Sequence, residues 1–277
     1  MGHDTATLER AAKVCRADMW GTVCEDAVIE CGIEEECFGA VQATVFEALP
    51  CAPHVNLVLG AAEPGAVEEG HLAAAVRWAD GFDVDYRVSV SRERPEAAAA
   101  EDWLNRNGFE QRRGQLKYIR DASPPQQAGN TAITVWEIGR EEADGETMLS
   151  AAPLLGLPSP AGNLLFALPI QEQWRTYTAE LEEDIVSFGS MRLYDGVAWV
   201  GLDATEESAR GRGCNQALLR ERILAAGAAG CHTIFSELDE DNSEGVAACG
   251  RNLLRAGFVP AYRSMNWQRP RPWAPRH

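Results

Sequence analysis

The chain has 277 residues, with 25 Lys and Arg against 42 Asp and Glu, a formal net charge of −17. Apolar types at 45% and charged types at 24% are ordinary for a globular protein and exclude disorder, collagen or coiled coil as the state of the whole chain. Both halves are acidic, so neither offers the broad basic field that a phosphate backbone requires; nucleic acid is excluded as a partner, and small cationic acceptors are electrostatically compatible.

The length corresponds to about two domains. Thr5 to Ala17 carries apolar residues at helical spacing (Leu8, Ala11, Ala12, Cys15), and Val23 to Ile33 reads as a second helix. Phe38 to Phe46 and His54 to Gly60 read as strands, Ala66 to Ala79 as a helix, and the strict alternation of Phe82 to Val90 as a strand. Pro95 opens a helix that stops before Gly108, and Glu110 to Ile119 is a strand. Residues 121 to 130 (DASPPQQAGN) form a linker. Beyond it, Thr131 to Ile138, Trp174 to Leu181, Ile185 to Leu193 and Ala198 to Thr205 read as strands. Asn215 to Ala229 is then a helix, Cys231 to Leu238 a strand, Glu244 to Ala256 a helix and Phe258 to Trp267 a strand.

The two halves end alike: strand, helix, Gly-Phe, strand. Glu101 to Phe109 (EDWLNRNGF) aligns with Gly250 to Phe258 (GRNLLRAGF), a weak internal repeat that divides the chain at 1–122 and 130–277. Trp174, Trp199 and Trp267 fall on strands of the second half, either as core or as the wall of an apolar acceptor pocket. The eight cysteines include no Cys-x-x-Cys pair, so no metal site is expected. Met1 to Leu8 has no apolar signal core, so we expect a cytoplasmic protein with reduced thiols. The most membrane-like stretch, Ala151 to Ile170, contains four prolines and cannot form a continuous spanning helix.

The stretch that carries chemistry is Ala198 to Ile223. A strand runs into Arg210-Gly211-Arg212-Gly213-Cys214-Asn215 and a helix starts at once. Glycines let backbone amides approach a ligand, and the helix start adds unpaired N–H groups and a positive dipole end. The combination suits a phosphate or diphosphate, or else it is a tight turn with solvated arginines. It is neither a Walker loop nor a G-x-G-x-x-G fingerprint.

Arg-x-x-Gly-x-(Gly/Ala) between strand and helix resembles the coenzyme A signature of the GNAT superfamily of N-acyltransferases; Arg210 and Gly213 match, and Asn215 departs at the sixth place. The resemblance covers about Thr131 to Trp267. The first half is similar to a degenerate copy, with Glu68 and Glu69 where phosphates would lie. It implies an α/β protein of two tandem GNAT-like domains, each a mixed, mostly antiparallel sheet flanked by helices. It also implies acetyl-CoA as co-substrate, an amine acceptor that is a small molecule or a peptide, and a dimer.

For this chain the resemblance places cofactor contacts at Asp203, Ala204, Thr205 and Arg210, Gly211, Arg212, Gly213, Cys214, Asn215, with Asn242 and Cys249 beside the arm. The tyrosine that often serves as acid is replaced by Leu253. Tyr262 on the last strand is the candidate substitute, and Glu237 at the end of its strand is the candidate base. Leu253 also leaves open a non-catalytic acyl-CoA sensor or interaction module.

Overall fold

The computed structural model describes residues 4–21, 29–53, 55–125, 130–139, 147, 149–155, 165, 168–240 and 243–270. In chain order the elements are α1 (Thr5–Gly21), β1 (Ile33–Phe38), β2 (Val41–Phe46), β3 (Leu57–Leu59), α2 (His71–Ala79), β4 (Arg87–Ser91), α3 (Ala97–Arg106) and β5 (Glu110–Asp121). There follow β6 (Ile133–Glu137), β7 (Trp174–Leu181), β8 (Asp184–Tyr194), β9 (Val197–Thr205), α4 (Cys214–Ala228), β10 (Thr233–Asp239), α5 (Glu244–Arg255) and β11 (Val259–Gln268).

All eleven strands lie in one mixed sheet, ordered β1-β2-β3-β4-β11-β5-β10-β9-β8-β7-β6. Two neighbouring pairs are parallel, β3 with β4 and β9 with β10, and a helix bridges each, α2 and α4. Each half therefore repeats the order strand, helix, parallel strand, helix, final strand. The final strands are exchanged: β11 pairs with β4 of the first half, and β5 pairs with β10 of the second. The two sequence halves thus share one sheet, where the repeat alone suggested a sheet for each.

The pleat sends alternate residues to opposite faces. α1 covers one face with Leu8, Ala11, Ala12 and Cys15, a helical stripe packed on Phe46, Phe188, Trp199, Phe235 and Tyr262. A short helix, Ala151–Leu154, joins this face, while α2 and α3 cover the opposite face over the first half and α4 and α5 over the second. Trp267 packs in the first-half core because β11 has crossed over, while Trp174 and Trp199 meet edge to face at 5.8 Å.

Three sequence expectations change, and residues 23–28 of the helix expected over Val23 to Ile33 lie outside the described residues. Ile33–Phe38 is an edge strand, and Phe38 to Phe46 is the turn and second arm of its hairpin with β2. The helix expected from Ala66 starts at His71, after a run of turns. Phe82 to Tyr86 alternates but joins no ladder, since β3 reaches only Arg87 and Val88. The repeat itself holds in three dimensions. Phe109 N–H donates to Leu104 O and Phe258 N–H to Leu253 O, both at 3.0 Å, with Gly108 and Gly257 left-handed between them.

Candidate functional site

The parallel ladder between β9 and β10 is short: only residues 197–199 pair with 233–235. Beyond them the strands splay, and the side of β9 from Val200 to Thr205 that faces β10 is left without a partner strand there. Within this stretch β9 bulges, since Ser190 pairs with Gly201 while Phe188 pairs with Ala204, and Leu202 takes a φ of 52°.

A buried cation holds the bulge. Arg222 of α4 is 0% exposed and lies beneath Gly189, where a Cβ would sit 2.8 Å from its guanidinium. It donates to Leu218 O (3.2 Å), Ser190 O (2.9 Å) and Gly201 O (3.2 Å) and pairs with the Asp203 carboxylate. Full burial of a guanidinium is tolerated because every side of it meets an acceptor. Asp203 also accepts from Asn215 Nδ2 (2.9 Å), so its side chain is spent on the scaffold. Ala204 and Thr205 are fixed through Ser187, whose hydroxyl donates to Ala204 O at 2.8 Å and lies 2.7 Å from the Thr205 hydroxyl.

After β9 a single 3-10 turn, Glu207–Ala209, leads into the bend. Gly211 and Gly213 have φ of 78° and 99°, and Gly213 is the residue immediately before α4. Arg212 N–H donates to Ala209 O and Ala217 N–H to Gly213 O. Among the described residues, the amides of Gly211, Gly213, Asn215 and Gln216 meet no protein acceptor, while that of Cys214 faces its own sulfur. Four unpaired donors around a helix start suit an anion. Arg210 folds back on Thr205 O (3.4 Å) and Arg212 pairs with Glu182; both are exposed. Cys214 is buried, and burial pushes its thiol up from its ordinary value.

α5 closes the other side of the splay. Asn252 Nδ2 donates to Asn215 Oδ1 (3.0 Å), and Gln216 Nε2 donates to Asn252 O (2.7 Å). A chain of polar contacts therefore runs Asp203, Asn215, Asn252 across the gap. Cys249 stands half-buried on the same helix; burial, and then the charge of Asp203, raise its pKa, so its sulfur stays a neutral thiol. Leu253 is 4% exposed, packed with Ile234 and Phe258 in the core. Asn242 lies outside the described residues.

Glu237 and Tyr262 meet on the α1 face in a cluster that the sequence did not foretell. Glu237 is 5% exposed, pairs with Lys117 of the exchanged β5, accepts from Trp199 Nε1 (3.3 Å) and lies 3.8 Å from Arg16. Burial opposes its ionisation, but Lys117, Arg16 and Trp199 outweigh burial and hold the carboxyl below its ordinary 4.5. Burial likewise opposes the Lys117 charge, and Glu237 with Glu9 raises its pKa above 10.5 all the same. The Tyr262 hydroxyl donates to Glu9 (2.9 Å), and burial followed by the charge of Glu9 pushes its pKa far up. Glu237 is thus a carboxylate of weakened basicity, and Tyr262 a phenol that keeps its proton, away from the cysteine and asparagine face.

Sequence reasoning missed Arg222, Lys117, Glu9 and Asn252. Two signals were present. Arg222 interrupts the apolar stripe of Leu218, Leu219, Ile223 and Ala226, and Lys117 is one of only two lysines, in the middle of a strand. Among the described residues no group of side chains is arranged to hold a metal ion, and no helix is long and apolar enough to cross a membrane.

No family model matches the sequence, and no curated protein matches it. Solved structures do. The chain is similar to a GCN5-related N-acetyltransferase from Kribbella flavida (TM-score 0.63, 14% identity, 88% of this chain and 92% of that one). It is similar to another from Sphaerobacter thermophilus (TM-score 0.60, 18% identity, 83% and 78%). A tandem GNAT protein from the clavulanic acid biosynthesis pathway also matches (TM-score 0.57, 15% identity, 82% and 77%). At these identities the likeness is one of fold: an α/β fold with a mixed sheet flanked by helices, shared with the tandem GNAT type.

Proposed function

We propose that this chain, which has the fold of the GCN5-related N-acetyltransferases, is an acetyl-CoA-dependent N-acetyltransferase acting on the amine of a small molecule or peptide. The observation that carries the reading is the set of four amides, Gly211, Gly213, Asn215 and Gln216, that meet no acceptor among the described residues, set beside the unpaired side of β9. Residues 211–216 would hold the diphosphate, and backbone groups of Asp203, Ala204 and Thr205 would pair with the arm as an added strand. The residues fit the group: the amides are free, and a Cβ at Gly211 would meet nothing within 4 Å, so the approach is open.

Acetyl-CoA supplies an acyl thioester, so forming the amide C–N bond cleaves C–S; an ammonium acceptor gives up two protons, one before attack and one as the amide forms, the sulfur takes up one to leave as a thiol, and one is released. On the chain's side, Glu237 and Glu9 hold the amine end of the acceptor by charge, and a water beside them takes the proton, since Glu237 itself is a weak base. Leu253 gives no proton, so the departing sulfur draws one from solvent. In this reading residues 130–277 carry the chemistry, residues 1–122 support it, and the protein works in the cytoplasm as a homodimer.

The second reading, a non-catalytic acyl-CoA-binding sensor or interaction module, is favoured by Leu253 and by the Asn252 bridge across the gap. Calorimetry with acetyl-CoA, followed by thiol release against polyamines, aminoglycosides, amino acids and peptide N-termini, separates them. Binding with turnover is the expected outcome. Binding without turnover across the panel selects the sensor, and no binding at millimolar acetyl-CoA removes both.

A further inference from the structure

Beneath α1 lies a cavity of about 140 Å³ to which both halves of the chain contribute. Gly60 and Glu63 come from the first half, Gln115 and Lys117 from the exchanged β5, Glu237 from β10, and the rest mainly from α1. At about 10–15 Å³ for each water-sized position, it holds roughly ten non-hydrogen atoms.

Its charge runs against that of the chain. Four cations line it, Arg10, Lys13, Arg16 and Lys117, against Glu9, Glu63 and Glu237. Glu63 is already neutralised by Arg94 through two hydrogen bonds (3.0 and 2.7 Å). Lys117 serves Glu237 and Glu9 together. What remains is a stripe on α1 at three-residue spacing that, among the described residues, faces few carboxylates, Asp4 beside Arg10 and Glu237 beside Arg16. Arg10 donates to the Thr7 hydroxyl (3.1 Å) and Lys13 to the carbonyl of Ala40 (3.0 Å); Arg16 donates to Gln115 Oε1 (3.4 Å) and stands 3.8 Å from Glu237. Deeper in, the carboxylates of Glu9 and Glu237 form the opposite wall. Glu237 also holds Trp199, whose ring lies over Gly201 where the β9 bulge begins, so this wall abuts the strand that leads to the bend.

We propose that this cavity receives the acceptor, and that the acceptor is a small amine that also carries a carboxylate, of the amino-acid class. The proposal rests on the transferase reading above. The carboxylate meets Lys13 and Arg16 in charge-assisted hydrogen bonds, and the amine turns to Glu237 and Glu9. A wholly cationic amine, which the net charge of −17 alone would favour, meets a stripe of like charge here. The first half then has a role of its own, because it closes the acceptor cavity.

Calorimetry on the full chain without cofactor tests it, with free L-amino acids, their methyl esters and spermidine as probes. At least one free amino acid is expected to bind, its ester at least tenfold more weakly. Lys13→Met and Arg16→Met should each weaken the free acid at least tenfold and leave acetyl-CoA affinity within twofold. Esters or spermidine binding as well as the free acids, no free amino acid binding at millimolar concentration, or unchanged affinity in both variants overturns the proposal. An acetyl-CoA titration of the same samples separates the two failures. Acetyl-CoA binding without the acid preference rejects only the acceptor class, whereas amino-acid binding without acetyl-CoA binding rejects the transferase and leaves the cavity as a carboxylate-reading site.

Discussion

The two strand-to-helix junctions of this sheet are built differently. In the first half, β3 leads through residues 60–70 into α2 by a run of turns packed on alanines, with the amides of Ala61, Ala62, Val67, Glu68 and His71 meeting no acceptor among the described residues. The amides of Glu63, Ala66, Glu69, Gly70 and Leu72 each meet a local carbonyl, Gly65 N–H meets the Glu96 carboxylate (2.9 Å), and Ala61, Ala62 and Ala66 fill the interior. In the second half, β9 leads through residues 206–213 into α4, and among the described residues the amides of Gly211, Gly213, Asn215 and Gln216 stay unpaired around the bend. The helices differ as well. α2 buries only apolar residues, Leu72, Ala75, Val76 and Ala79, whereas α4 buries Arg222 under a bulged strand. On the proposed reading, the second junction serves an anion and its copy in the first half does not.

The largest effect that sharpens this contrast is expected at Arg222. Arg222→Met leaves the partly buried Asp203 without its cation and removes the guanidinium's hydrogen bonds to three carbonyls. Breaking a buried pair on one side costs about 3–5 kcal/mol. Chemical denaturation should show that loss, and acetyl-CoA binding should fall with the bulge. Val76→Met in α2, which removes no polar partner, should cost about 1–3 kcal/mol through overpacking and leave binding alone. Equal losses in both would deny that the bulge is held by charge.

The second test exchanges one residue at matched places. Gly213 and Gly70 both stand immediately before a helix with positive φ, 99° and 77°. Glutamate at either one strains a left-handed backbone by roughly 1–2 kcal/mol. At Gly213 it also sets a negative charge in the cradle, so Gly213→Glu should lower acetyl-CoA affinity at least 100-fold, about 2.7 kcal/mol. Gly70→Glu should destabilise the chain by a similar amount and leave affinity within twofold. Isothermal calorimetry on the pair decides it, and matched losses of affinity would place the diphosphate elsewhere.

How much of this was readable from residues follows from range. The bend was legible because its glycines, arginines and helix start are neighbours in the chain. The exchange of β5 and β11 was not, because the halves end alike and either final strand fits either slot; only register between residues over 100 positions apart chooses. Misreading followed from it. Glu237 looks like an edge carboxylate until β5 brings Lys117 alongside, and Trp267 looks like second-half core until β11 crosses over. β1 was missed for another reason: Glu34, Glu35 and Glu36 blunt an edge strand against further pairing, which also erases the apolar alternation that marks a strand.

The smallest expected effect is the most discriminating, because stability and affinity should move in opposite directions. Asn252 bridges α5 to α4 across the gap where the first half has no ligand to admit, through Asn215 Oδ1 and Gln216 Nε2. Each such neutral hydrogen bond adds about 0.5–1.5 kcal/mol to the folded state. If the proposed arm lies along Asp203 to Thr205 and takes over the Asn215 contact, binding has to part Asn252 from Asn215. Asn252→Ala removes the Asn215 contact and keeps the backbone carbonyl that Gln216 uses. Stability should fall by about 1 kcal/mol, while acetyl-CoA affinity rises a few-fold, since the cost of opening is gone. If affinity falls together with stability, Asn252 is itself a ligand-holding residue and the gap is formed by it, not closed by it. Melting curves and calorimetry on one variant distinguish these.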